Sequence, residues 1–360
     1  MNKIRVMVVD DTAVVLLLLT EMLGSDPQVE VVATAPNGKI ALEKLDAVAP
    51  DILILDVEMP ELDGLQTLTL LRQRNASLPV IMFSSHTQAG ASVAIEALHR
   101  GATDVVGKPS NAALGETREA LLSRIKAFCR RVIDSDSDAS RILRKMSPAL
   151  KPRRPITVQR IDAVVIAIST GGPNALSELI PRLPKDLPAP ILVVQHMPPV
   201  FTRILAERLA SKSKLRVEEG MEQAHVEPGS VWLAPGDHHM TVERSAGGVR
   251  LAMDQKPHEN SCRPSADCLF RSAADVYGEH LLAVVMTGMG QDGLRGCQRI
   301  YASGGQVIIQ DEASSVVWGM PGAVAKAGLA DEIVPLSGMA DEIVRRVRES
   351  HRTGIANGLS

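Results

Sequence analysis

Short apolar, β-branched runs alternate with longer amphipathic stretches along most of the chain, and few folds accept that pattern. In the first third, strand candidates lie at 4–9, 29–34, 52–55, 80–83 and 104–106, with helix candidates near 13–23, 38–47, 65–74, 91–100 and 116–130. Alternation of this kind builds a parallel sheet with helices on both faces. Right-handed crossovers bring the carboxyl ends of the strands to one rim, where such sheets carry their chemistry. From Ile161 a second alternating block begins, with strand candidates at 163–168, 191–195, 215–217, 281–286, 306–309 and 332–334. Its helix candidates lie near 173–183, 201–211, 264–277, 293–302 and 339–350. The segment 229–253 reads as a small insertion of three antiparallel strands, SVWLAP, HMTVERS and GVRLAM, the last after a Gly-Gly turn. The fold class expected is therefore α/β with two doubly wound domains: a five-stranded parallel one, then a Rossmann-like, mostly parallel one carrying that insertion.

Between the blocks the texture changes. SDSDAS is polar, and KMSPALKPRRP is basic with three prolines. This reads as a solvated linker over 129–160. The expected organisation is a first domain over 1–128, the linker, a second domain over 161–350 and a tail over 351–360. Aromatic residues make up 2% of the chain and the formal charge is −3. Those values leave neither stacking platforms for single strands nor a global electrostatic footprint for nucleic acid. The run Leu16–Leu19 is followed too soon by Thr20, Glu21 and Asp26 to span a membrane. The four cysteines form no CxxC pair, and the first residues are too polar for a secretory leader. A reduced, cytoplasmic setting is the expectation.

Chemistry-bearing residues fall at the strand ends of both blocks. In the first block, Asp10 and Asp11 follow the first strand and Asp56 the third; Ser84 ends the fourth, and Lys108 follows the fifth. Three carboxylates in one crevice repel one another unless a hard cation such as Mg²⁺ joins them. One can then accept a phosphoryl group, with Lys108 and the Ser84 hydroxyl on the phosphate oxygens. The plainer alternative is that these acids cap helices and turns.

In the second block, IDAVVIAISTGGPNAL is a buried strand that stops at Ser169 and turns through two glycines onto a helix opening with Pro173. Ser169 is either a helix cap or a nucleophile. His196 ends APILVVQH, and Asp292 follows LLAVVMTGMGQDG. All three lie just past predicted parallel strands, so a Ser–His–Asp site is open to them; each is also explicable singly as a cap, core or turn residue. The Thr170 N–H and a glycine-loop N–H near Met289 are candidate oxyanion donors. Asp237-His238-His239 suggests a metal, but adjacent histidines in a strand point to opposite faces. No GxGxxG or GKS/GKT loop is present for a nucleotide.

Two resemblances account for these patterns. VVDD, LILDVEMPELDG, PVIMFSS and GKP resemble the receiver domain of two-component response regulators. The resemblance implies that Asp56 is the phosphoacceptor and that Asp10, Asp11, Asp56 and the Glu58 backbone carbonyl hold Mg²⁺. Ser84 takes the switch-hydroxyl position and Lys108 the phosphate-binding lysine position. Val105 stands where an aromatic switch residue is usual, and the first helix carries VVLLLLTE in place of a more polar face. AISTGGPNAL, VVQHMPPVFT, VWLAPGDHHM, CRPSADCLFRSAA, AVVMTGMGQDG and QDEASSVVWGMPGAV resemble the catalytic domain of CheB-type chemotaxis methylesterases. That resemblance implies Ser169 as nucleophile, His196 as base and Asp292 as orienting acid, with Thr170 and Met289 lining the site and no cofactor. It further implies hydrolysis of glutamate γ-methyl esters on chemoreceptors, with glutamine deamidation a further activity in some relatives. A chemotaxis-type histidine kinase would be the phosphodonor, and phosphorylation of Asp56 would relieve inhibition by the receiver. Ala167 and Ile168 replace the usual Gly-Ala before the serine and are expected to tighten the pocket behind it. The rival reading is a phospho-switched binding module with no hydrolase activity.

Overall fold

In the computed structural model the described residues are 3–74, 77–85, 87–108, 114–129 and 160–357. The chain divides into two compact units, Met1–Ser147 and Pro148–Ser360. The expected linker, apart from its two end residues, and the last three residues of the expected tail lie outside the described residues.

The first unit holds strands β1 (Ile4–Val9), β2 (Val29–Ala35), β3 (Ile52–Asp56), β4 (Val80–Ser84) and β5 (Asp104–Gly107). They form one parallel sheet in the order β2-β1-β3-β4-β5. β3 and β4 are buried along their whole length. That matches their near-continuous apolar sequences, because helices cover both faces of a parallel sheet. Strand order reverses at β1 and β3, so the carboxyl ends of these two strands open a crevice there. Asp10 and Asp56 stand at those two ends.

The second unit holds β6 (Ala163–Ile168), β7 (Ile191–Gln195), β8 (Arg216–Glu219), β9 (Ser230–Leu233), β12 (Leu281–Val285), β13 (Gln306–Gln310) and β14 (Glu332–Val334), with the hairpin β10 (His239–Ser245) and β11 (Gly248–Asp254) set apart. The seven-stranded sheet is parallel, in the order β14-β13-β12-β6-β7-β9-β8. Its first strand in the chain, β6, sits centrally, with every side chain fully buried. Succession runs outward from β6 on one side through β7, and on the other through β12. The switch point is therefore the crevice between β6 and its two neighbours' carboxyl ends.

The insertion needs correction. SVWL belongs to the main sheet as β9, parallel to β7 and β8, and of the three expected antiparallel strands β10 and β11 alone pair that way. All four β9 residues are buried, with Trp232 and Leu233 almost fully so. Burial on both faces suits an internal parallel strand and not a half-exposed hairpin. The antiparallel pair covers the main sheet's helix Ala266–Tyr277, sharing its core through Met240, Val242 and Leu251. A short helix, Met320–Lys326, adds to the expected set, and the last helix is longer than expected, Leu336–Asn357.

Candidate functional site

Ser169 follows the last residue of β6, and His196 follows the last residue of β7. Ile168 pairs with Gln195 across the two strands, so the serine and histidine leave the sheet side by side. The His196 N–H donates to the Ile168 carbonyl at 3.2 Å. The Gln195 amide ties the two turns together, donating from Nε2 to the Ser169 carbonyl (3.0 Å) and the His196 carbonyl (3.3 Å). After Ser169 the chain reverses through Gly171 at φ +78°, a left-handed conformation that favours glycine. Gly172 opens the next helix, Gly172–Leu179, and a Cβ there would lie 1.9 Å from Gln195 Oε1. The glycines are thus required by the turn and by the amide packed on it.

The loop after β12 closes the third side. The Ser169 N–H donates to the Thr287 carbonyl (3.0 Å), and the Thr287 hydroxyl to the Thr170 carbonyl (2.9 Å). A Cβ on Gly288 would come within 2.9 Å of the Ser169 Cβ. Thr170 is buried and Met289 half-buried. Neither backbone N–H donates a hydrogen bond among the described residues, and the buried Thr170 hydroxyl has no partner there.

Asp292 is buried and surrounded by donors. Its Oδ2 lies 2.7 Å from His196 Nε2 and accepts from the Ala266 N–H at 2.6 Å. Its Oδ1 accepts from Asn260 Nδ2 (2.8 Å), the Ser265 hydroxyl (2.7 Å) and the Asp267 N–H (3.2 Å). The Ala266 and Asp267 amides are the first of the helix Ala266–Tyr277, so the carboxylate also occupies the positive end of that helix. Burial alone would raise the Asp292 pKa; the His196 bond and these donors hold it well below the usual carboxylate range. An ionised carboxylate only accepts, so Nε2 carries the ring proton and Nδ1 is the nitrogen left for other work. Nδ1 lies 3.6 Å from Cys262 Sγ. Burial acts to lower the His196 pKa, but Cys262 and Asp292 together raise it. The Ser169 hydroxyl itself makes no hydrogen bond among the described residues. The structure therefore joins His196 to Asp292 and sets Ser169 beside them on the next strand end without a direct bond.

Asn260, Ser265, Gln195 and Cys262 escape sequence reasoning. CRPSAD and VVQH contain three of them, but nothing in spacing alone ties a loop residue to a carboxylate about thirty positions further on. His239, one of the rival histidines, is 1% exposed and structural. Its Nδ1 accepts from the Ser265 N–H and its Nε2 faces the Pro257 carbonyl, which fixes the ring's orientation. Ala167 packs toward Gly293, where a Cβ would approach within 3.3 Å, and Ile168 toward Gly172. The bulkier pair thus fills the space that two glycines leave.

At the other switch point, Asp10, Asp11 and Asp56 present carboxylate oxygens all within 4.8 Å of one another. Asp10 and Asp56 are buried and Asp11 is exposed. Lys108 Nζ lies 2.8 Å from Asp10 Oδ2 and 2.9 Å from Asp56 Oδ2. Burial raises Asp56 to about 6, with Asp10 adding to the rise and Lys108 opposing it. A buried pair of acids sharing one ammonium is a fit for a hard divalent cation, since oxygen-only donors and uncompensated negative charge are what such ions take. Among the described residues no other His, Cys, Asp or Glu group is so arranged. Ser84 is fully buried at the end of β4; its carbonyl accepts from the Lys108 N–H at 2.7 Å, while its hydroxyl lies 3.4 Å from the Ser85 carbonyl. Glu58 is exposed two residues past Asp56, and Val105 is buried.

Comparison with known proteins matches two stretches of the chain to known families. Residues 164–343 match the CheB methylesterase family, and residues 6–118 the response regulator receiver domain. The chain is 46% identical over 357 residues to the protein-glutamate methylesterase/protein-glutamine glutaminase of Trichodesmium erythraeum, covering 96% of this chain and 100% of that one. The chain belongs to the CheB methylesterase family. The Pyrococcus horikoshii relative of the same description is 41% identical over 353 residues, covering 96% of this chain and 94% of its own. Among solved structures, the Thermotoga maritima CheB methylesterase catalytic domain is similar at 43% identity and a TM-score of 0.51, covering 51% of this chain and 98% of that one. In a CheB-family frame the Ser169 crevice falls within the matched methylesterase region, and the acidic crevice within the matched receiver region. Among the described residues, no helix is long and apolar enough to cross a membrane.

Proposed function

We propose that the chain is a phosphorylation-activated serine hydrolase that demethylates glutamate γ-methyl esters on chemoreceptors, with Ser169 as nucleophile, His196 as base and Asp292 as orienting acid. The observation that carries the reading is the convergence of Ser169, His196 and a five-donor Asp292 on one switch point, with the His196–Asp292 contact at 2.7 Å. Asp292, held ionised, keeps the ring proton on Nε2 and leaves Nδ1 to take the Ser169 proton. The serine oxygen then attacks the ester carbonyl. The charge that develops on the carbonyl oxygen is met by the unbonded Thr170 and Met289 N–H groups. Methanol leaves with the proton from His196, and water, deprotonated by the same nitrogen, releases the glutamate and restores Ser169. The same attack on a glutamine side-chain amide would release ammonia, a second activity supported by the names of the relatives.

Asp56 is the phosphoacceptor in this reading. Its carboxylate attacks a phosphoryl group supplied by a chemotaxis-type histidine kinase, while Lys108 and the Ser84 hydroxyl serve the phosphoryl oxygens. Asp10, Asp11, Asp56 and the Glu58 carbonyl would hold Mg²⁺, which supplies charge neutralisation to the phosphoryl oxygens when bound. Phosphorylation relieves inhibition of the hydrolase by the receiver; the support is one acceptor and one hydrolytic site on a single chain. A tenfold activation needs about 1.4 kcal/mol of differential free energy between the two receiver states. No cofactor takes part at Ser169, and neither nucleic acid nor membrane insertion enters the scheme. The test is covalent labelling by a serine-directed fluorophosphonate, mapped by peptide mass, beside methanol release from methylated receptor. Label on Ser169 and loss of release in Ser169→Ala are expected; release at the wild-type rate in Ser169→Ala would refute the assignment of Ser169, and wild type that neither takes the label nor releases methanol would favour the binding-module alternative.

A further inference from the structure

His196 is addressed on both nitrogens, and one of the two partners has no place in the scheme above. Nε2 meets Asp292; Nδ1 meets the thiol of Cys262 at 3.6 Å, a contact within range for a sulfur hydrogen bond. Ser169 and Cys262 therefore make demands on the same nitrogen. We propose that Cys262 is a positioning residue that holds the His196 base in the resting site, in competition with Ser169. This rests on the reading of Ser169, His196 and Asp292 as the hydrolytic site.

The placement of Cys262 is built, and it is built from the acid. Residues 259–262 form a tight reversal closed by two backbone bonds, Glu259 N–H to the Cys262 carbonyl (3.1 Å) and Cys262 N–H to the Glu259 carbonyl (3.0 Å). The two central residues, Asn260 and Ser261, both take left-handed angles, φ +53° and +61°. A two-residue reversal with both centres left-handed closes tightly, and Asn tolerates that conformation better than most. The Asn260 amide bridges Asp292 Oδ1 (2.8 Å) and Asp267 Oδ2 (2.9 Å). At the outer corner, Arg271 grips both Glu259 oxygens at 2.6 Å. The turn thus hangs on the Asp292 carboxylate and delivers Cys262 to the opposite nitrogen of the same ring.

The other three thiols are differently placed. Cys129 and Cys297 are buried. Cys268 donates to Glu259 Oε2, and burial together with that carboxylate pushes it to about 12. Cys262 is half-buried and faces an imidazole. When the ring is neutral the thiol donates to Nδ1; when the ring is protonated, Nδ1–H donates to sulfur. With the ring neutral, Ser169 must displace sulfur before Nδ1 can take its proton; with the ring protonated, Nδ1 must first lose its own proton. The titratable groups around the ring are Asp292 and Cys262, with Asp267 and Glu259 behind Asp292. Cys262 is among the influences that raise His196, which agrees with the geometry.

The test compares full-length wild type with Cys262→Ala and Cys262→Ser. It uses methanol release across pH and NMR titration of the His196 ring. Cys262→Ala is expected to move the His196 titration, and the acid limb of kcat/KM, toward lower pH. It should also raise kcat/KM at neutral pH about two- to tenfold, the range set by removing one modest hydrogen bond; Cys262→Ser falls between. As a second measurement that does not depend on the variant folding, iodoacetamide should alkylate Cys262 first, by peptide mass, and change the rate of methanol release in step. A His196 titration unmoved by Cys262→Ala, or full alkylation of Cys262 with an unchanged rate, would overturn the proposal. Failure of the underlying reading looks different: Ser169→Ala would keep wild-type release while the His196 titration still answered to Cys262.

Discussion

The two crevices share one architecture and tune their buried carboxylates in opposite directions. Both lie at the switch point of a parallel sheet, and both bury an acid almost completely. Asp292 has five donors pointing at two oxygens, two of them first-turn amides of a helix, and is held ionised. Asp56 has a backbone N–H and half of a lysine it shares with Asp10, and burial raises it to about 6. The contrast teaches what each site is prepared for. A carboxylate whose lone pairs are already satisfied is a fixed anion, suited to hold an imidazole. One left with uncompensated charge is poised for an incoming cation and an electrophile. Donor count, and not burial, separates the two.

The largest effect that would break this contrast is at Asp292. Asp292→Asn removes the fixed anion and allows the wrong ring tautomer, so methanol release should fall on the order of 10⁴. Steady-state assays with circular dichroism as a folding control check it; a loss of only a few-fold would show that the five-donor carboxylate is structural. Next is Asn260→Ala, which takes one donor from Asp292 and removes the amide separating it from Asp267. A hydrogen bond to a charged group is worth about 1.5–3 kcal/mol, so a loss of roughly 10–100-fold in kcat/KM is expected.

The receiver side makes a prediction about stability. An acid whose folded pKa exceeds its unfolded value takes up protons on folding. Asp56 therefore contributes stability that is complete below about pH 4 and lost as the pH rises past about 6. Calorimetry of the full chain should show the receiver transition weakening over that window. Asp56→Asn should flatten the dependence and stabilise the receiver at neutral pH by about 1–3 kcal/mol. Mg²⁺ should offset the loss in wild type and do less in the variant; equal behaviour of the two proteins would mean that Asp56 is not the frustrated group.

The same contrast marks what can be seen in the sequence. Asp10, Asp56, Ser169, His196 and the glycine loop before Asp292 stand just past β-branched runs that only buried strands explain, so their rims are legible. SVWL misleads because four residues without alternation look alike in a hairpin and in a buried parallel strand; the partner decides, and the partners β7 and β8 are distant in sequence. The helix Met320–Lys326 is hidden by its Pro and Gly content, which in a sequence argues for a loop. The donors to Asp292 other than His196 are invisible for a related reason: Asn260 works through two left-handed residues, and nothing in the order of the letters shows where such a turn points its amide.

The most direct measurement is methanol release from methylated chemoreceptor with and without a small phosphodonor and Mg²⁺, run side by side on wild type, Ser169→Ala and Asp56→Asn. Release that accelerates with phosphodonor is expected in wild type, no appreciable release from Ser169→Ala in either condition, and no acceleration in Asp56→Asn. Wild-type release from Ser169→Ala, or wild-type acceleration in Asp56→Asn, would contradict a hydrolase worked by Ser169 and switched at Asp56.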